Sequence, residues 1–189
     1  MRTPLHTLIR ITLVGALAMV VWGMVFWGLL AGPIGVFRQL PDAPAVTQAL
    51  TGSQTQTGTY FMPWPRDTAE TSQRFLEQHR LGPFFRLSYV REGVDPQSPR
   101  KLLLGVVHDL SVALIAALLL WVANPASRLR SFAIVFLAGL LGSNFHMVGD
   151  PVWFHMPWDY SMGVLFYDVV SWGLLGLTGS LLWRPLPKR

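Results

Sequence analysis

Residues 145–159, FHMVGDPVWFHMPWD, hold most of what this sequence offers to chemistry. The stretch nearly repeats itself, FHMVGD and then FHMPWD. In each half a histidine is followed four positions later by an aspartate, His146 with Asp150 and His155 with Asp159. Imidazole nitrogen beside carboxylate oxygen is a donor set that suits zinc, iron or manganese. The nearby Met147, Met156 and Met162 add sulfur that favours copper. On a continuous helix each His–Asp pair would share a face, but Pro151 and Pro157 predict breaks there, and no H-E-x-x-H spacing is present.

Three further candidates lie in apolar surroundings: His108 and Asp109 in one hydrophobic stretch, Asp168 in another. Ionisable groups inside such stretches are costly and mark function by default. Three chemistries are therefore open. One is a transition-metal site drawn from His108, His146, Asp150, His155 and Asp159. A second is haem, with His108 and His146 as axial ligands on different helices of a bundle. The third is proton or ion movement through Asp109 and Asp168, two carboxylates sharing a proton. A plainer structural reading stands beside them and is preferred. In it His108, Asp109 and Asp168 form an intramembrane polar cluster of mutual hydrogen bonds, Asp159 caps the next helix, and Trp153, Trp158 and Tyr160 form an interfacial aromatic belt.

The elements that must position these groups are transmembrane helices. Residues 11–31 run without one ionisable side chain, and comparable runs follow. A helix needs about 20 residues to cross the hydrocarbon core. Four spans are predicted, 9–31, 102–123, 131–148 and 160–183. At 1.5 Å per residue Asp109 and Asp168 then lie at similar depth, roughly 10–14 Å below one boundary. The first span is too long for the apolar core of a signal peptide and no A-x-A site follows, so it reads as an uncleaved anchor. Gly139, Gly142 and Ser143 in the third span, and Gly173, Gly176 and Gly179 in the fourth, predict close helix contact in a compact bundle or a self-association face.

Between the first two spans, residues 32–101 are too long for a simple loop. PDAPAVTQALTGSQTQTG reads as a linker with one short helical turn. GTYFMPWP predicts a strand stopped by prolines, DTAETSQRFLEQHR (67–80) a helix with His79 solvated near its end, and FFRLSYV a half-buried strand. Such a strand–helix–strand segment is too small for a core of its own without disulfides, so it is expected to rest on the outer helix ends. Residues 149–159 read as a turn on the same side. The predicted fold is an all-α membrane protein of four transmembrane helices with a small α+β extracytoplasmic cap.

Composition agrees: 51% of the 189 residues are hydrophobic and 13% charged, too few charges for a soluble domain of this size. Arg2, Arg10, Arg128, Arg130, Arg184, Lys188 and Arg189 flank the spans on one side, with no acidic residue among them. Arg100 and Lys101 oppose them, and the majority places both termini in the cytoplasm. The net charge of +5 is thus a matter of topology and lipid, not of nucleic acid. There is no cysteine, hence no disulfide and no thiol chemistry. No phosphate-binding loop and no G-x-S-x-G occurs, which leans away from an enzyme.

GTYFMPWP, LGPFFRLSYVREG and SPRKLLLGVVHDLSVALIAALLL, spanning residues 58–120, resemble small bacterial integral membrane proteins of unknown function. The resemblance implies a bacterial inner-membrane setting and brings no activity or cofactor. The expected role is an accessory, scaffold or interaction protein of the bilayer, forming a homo-oligomer or joining a larger membrane complex. The alternative is a redox, metal- or haem-binding membrane protein.

Overall fold

The computed structural model describes residues 4–64 and 73–186. The chain divides into two compact units, Met1–Phe37 with Gln97–Arg189, and Arg38–Pro96. Among the described residues four helices are long and apolar enough to cross a membrane: Leu5–Leu30, Pro99–Ala123, Arg128–Phe154 and Trp158–Leu182.

In the first unit α1 (Pro4–Val25) ends in a wider π-helical turn, Phe26–Leu30, where the Ala31 N–H donates to the Phe26 carbonyl at 2.8 Å. Gly32–Pro33 allows no further helix. We number the other long helices α4 (Pro99–Ala123), α5 (Arg128–Met147) and α7 (Trp158–Leu182). Pro99 opens α4 at a position where its missing N–H costs nothing. Asn124 closes α4 in the left-handed conformation, φ 41°. Its side chain then pairs with Leu186 beyond α7, accepting from the Leu186 N–H at 2.8 Å and donating to the Leu186 carbonyl at 3.3 Å. Ser127 caps α5 by accepting from the Arg130 N–H.

Chain order is not packing order. α1 lies against both α4 and α7, and α7 against both α1 and α5, whereas the consecutive helices α4 and α5 touch less. The main core joins Ile11, Ala16 and Met19 to Ala113, Ala117 and Leu120, with Val135 and Leu175 beside them. A second, smaller core forms around Phe26, Ala31 and Val36.

The near repeat folds two ways. In its first half α5 passes through Val148, still in helical conformation, into a short α6 (Gly149–Phe154). Pro151 does not break the helix, because it sits in the first turn of α6 where a proline nitrogen is tolerated. The predicted turn thus begins only after Phe154. In the second half His155 adopts a left-handed conformation, φ 52°, and Pro157 precedes α7, so His155 and Asp159 share no helix face.

The second unit holds α2 (Ala43–Gly52), β1 (Gly58–Met62), α3 (Gln73–Leu81) and β2 (Phe85–Tyr89). The strands pair antiparallel, Gly58 opposite Tyr89 and Met62 opposite Phe85. α2 replaces the expected linker. Asp42 accepts from the Ala45 N–H at 3.1 Å, and the Thr47 and Thr51 hydroxyls bond carbonyls one turn back. α3 overlaps the expected helix from Gln73 and ends one residue beyond it at Leu81, while the predicted start at 67 lies outside the described residues. His79 is not simply solvated: its half-buried ring lies 5.0 Å from Phe75 and 5.2 Å from Phe84. Gly82, φ +67°, turns the chain from α3 toward β2 where a side chain would be strained.

Candidate functional site

Asp109 and Asp168 each lie ten residues after the first residue of their helices, about 15 Å along the axis. Both are half-buried. The Tyr167 hydroxyl is within electrostatic range of both carboxylates. Beyond that their surroundings differ. Asp168 lies beside the Ser143 hydroxyl of α5. Ser143 in turn accepts from the Trp172 indole N–H at 3.0 Å. Asp168 and Trp172 are one turn apart on α7, as are Gly139 and Ser143 on α5, so the two pairs face each other. Gly139 makes this possible, since a Cβ there would sit 1.9 Å from the Trp172 ring. Asp109 has no hydrogen-bond partner among the described residues.

His108, adjacent to Asp109, is not gathered into this cluster: its side chain is exposed on α4. Successive residues of a helix point about 100° apart, so an inward Asp109 and an outward His108 follow from one another. The residues that complete the polar contact are Ser143, Trp172 and Tyr167. Ser143 is legible in the sequence only as a small residue. The spacing of Asp168 and Trp172 is the one signal that could have paired them.

At the elbow of α5 and α6, the exposed His146 stands edge-on to Phe145 at 5.4 Å. It shares with Asn144, Asp150 and Trp153 a groove of about 460 Å³. His155 is exposed at the left-handed corner. Asp159 accepts from the neighbouring Tyr160 N–H at 2.9 Å, so it serves the first turn of α7 from inside the helix, while Pro157 holds the cap position. Among the described residues no three His, Cys, Asp or Glu side chains come together as a metal-holding group. His108 and His146, considered above as axial haem ligands, are both on exposed surface.

A larger groove of about 650 Å³ runs between α5 and α7, lined by Leu137, Leu141, Leu165 and Val169, with Asn144 and Phe145 shared with the elbow groove. It is apolar and lacks the convergent polar groups that fix a reacting substrate.

Toward the end of α1 its contact with α7 is aromatic. Trp22 stacks on Tyr167 at 6.2 Å, Phe26 and Trp27 close around the same ring, and the Trp22 indole N–H donates to the Tyr167 carbonyl at 3.0 Å. Ser171 donates to that carbonyl as well, at 2.8 Å. The π-helical turn carries Phe26 and Trp27 and places both on Tyr167. These hydrogen bonds and rings join helices to one another.

No family model, curated protein or solved structure matches the chain.

Proposed function

We propose that this protein is a non-enzymatic integral membrane protein that acts by assembling with another membrane chain, as an accessory or scaffold component. The observation that carries the reading is α4. Its His108 is exposed, on a helix apolar enough to span a bilayer. A polar imidazole about 9 Å in from Leu102, where the apolar span begins, is disfavoured against lipid and is satisfied by another protein.

The setting we propose is a bacterial inner membrane with both termini in the cytoplasm. Arg10, Arg128, Arg130 and Arg184, exposed at helix ends, support that orientation through the positive-inside rule. Residues 38–96 are then the extracytoplasmic unit. An epitope tag inserted at Ser53 is expected to be reached only from outside, and labelling from the cytoplasm alone overturns the orientation.

Extraction in mild detergent tests the function. The expected product is larger than one chain in its micelle, or carries a second membrane protein in fixed ratio. A strictly monomeric chain overturns the proposal. So does a Soret band abolished by His108→Ala or His146→Ala, or stoichiometric zinc, iron or copper lost with His146 and His155, since each would make the chain a cofactor-binding protein.

A further inference from the structure

We infer that the exposed face of α4 binds a second copy of this chain, with the two His108 imidazoles hydrogen-bonded to each other across a twofold axis. The inference rests on the proposed assembly function and names its partner.

Leu104, His108, Ser111, Ile115, Leu118 and Val122 are all exposed, and their spacing alternates four, three, four, three and four residues. This is the heptad seam along which two helices pack side by side. The residues with which α4 is buried against its own bundle, Ala113, Ala116, Ala117 and Leu120, fall on the opposite side of the helix. α4 therefore has two distinct faces, one used internally and one uncovered. The internal face is built of small residues for close approach to α1, while the uncovered one carries full-sized side chains around an imidazole.

An apolar seam alone gives little drive inside a bilayer, because lipid tails are as apolar as leucine. A polar group within the seam selects the partner. A neutral imidazole carries one donor and one acceptor and is therefore complementary to a second imidazole. Two copies with the same orientation in a membrane are related by an axis along its normal, so each residue meets its own counterpart at equal depth. His108 then faces His108 without any adjustment of register. The neighbours permit this pairing. The Ser111 hydroxyl already donates to the His108 carbonyl at 2.6 Å and demands nothing from the partner. Asp109 is half-buried and off the seam, so no carboxylates are brought together on the axis.

The chain has no cysteine, so single-cysteine variants report contacts cleanly. Ile115→Cys and Val122→Cys, oxidised in native membranes, are expected to give a disulfide-linked band at twice the mass of the chain. Val106→Cys, exposed but opposite the seam, is expected to give none. Introducing His108→Leu into the Ile115→Cys chain should lower cross-linking about threefold, the effect of losing one interhelical hydrogen bond in a membrane. His108→Asn, which keeps a donor and an acceptor, should retain it. Equal cross-linking at 106 and at the seam overturns the inference, as does a His108→Leu chain that cross-links undiminished. Disulfides formed only with a different, cysteine-bearing protein overturn the self-pairing but leave the assembly function standing. No cross-link at either seam position, together with a monomer in detergent, overturns both.

Discussion

The two units of this molecule are held by different forces. In the helical unit the contacts are made by shape. Gly139 lies under the Trp172 ring, Gly176 packs against Phe132, and Gly179 against Leu120. Among the described residues its helices are also tied by hydrogen bonds from Trp172 to Ser143 and from Trp22 to the Tyr167 carbonyl. In residues 38–96 no residue of α2, and none of the described α3, is buried, and the strands are at most half-buried. There the order comes from a two-stranded ladder, an N-cap and polar side chains returning to the backbone. The difference follows from the solvent each composition suits. Where lipid competes, apolar area gains nothing and close fit decides. Where water competes, a small segment without a core depends on capped and paired backbone.

That contrast can be broken most directly at Gly139. Gly139→Ala is expected to destabilise the helical unit by about 3 kcal/mol, the upper part of the range for overpacking, because the clashing atoms belong to an indole ring. Gly142→Ala, three residues on and with nothing within 4 Å of its added methyl, is expected to be neutral. Unfolding of the detergent-solubilised protein by a denaturing surfactant measures both, and equal losses would end the claim that fit decides.

The polar contact beside it should matter less. Ser143→Ala leaves the Trp172 N–H without its acceptor and removes the hydroxyl beside Asp168, at a cost of about 1.5 kcal/mol, near the maximum for interhelical hydrogen bonds in membranes. The same surfactant titration reads it. A loss as large as that of Gly139→Ala would place polar pairing level with packing.

In the second unit, Asp42→Ala should lower the stability of α2 by about 1 kcal/mol, the usual worth of an N-cap. Amide exchange over Ala43–Gly52 should quicken about fivefold while the helical unit is unchanged. A shift of the whole surfactant transition would contradict the separation of forces.

The smallest effect concerns Glu92. It accepts from the Thr57 hydroxyl at 2.7 Å, and Thr57 in turn accepts from the Arg91 N–H at 3.0 Å. The Thr57 hydrogen bond, first among the causes, holds the Glu92 carboxyl below its usual value of 4.5. A depressed carboxylate stabilises the fold above its unfolded pKa and ceases to as pH falls through the folded one. The Thr57–Glu92 tie should therefore be intact at neutral pH and loosen below about pH 4.5, seen as a shift of the Thr57 resonances that Glu92→Gln abolishes. Because Glu92 is fully exposed, global stability should scarcely respond.

Much of this architecture was legible in the residues. The four apolar runs specify their helices, the prolines and glycines around β1 and β2 delimit the strands, and the spacing of glycines in α5 and α7 announces close contact. The same residues did not tell which glycines touch: Gly139, Gly176 and Gly179 do, while Gly142 faces open space and Gly173 only brushes Phe136 at 4.0 Å. α2 was hidden because Pro, Thr and Gln suggest a linker, whereas Asp42 and Pro44 together make a helix start. The echo at 145–159 was equally misleading, since one proline sits inside a first turn and the other before a helix.

Hydrophobicity and length are properties each segment carries by itself, so the sequence determined that four helices form and that the 38–96 segment between the first two is polar. Which face of each helix points inward was left to tertiary structure. These helices are apolar around their whole circumference, and a helix without a polar side gives no signal of its rotation. That His108 points out of the bundle while its neighbour Asp109 points partly in, and that Asp168 finds Ser143 and Trp172, is decided only when the helices pack and their small and large side chains choose one rotation that fits.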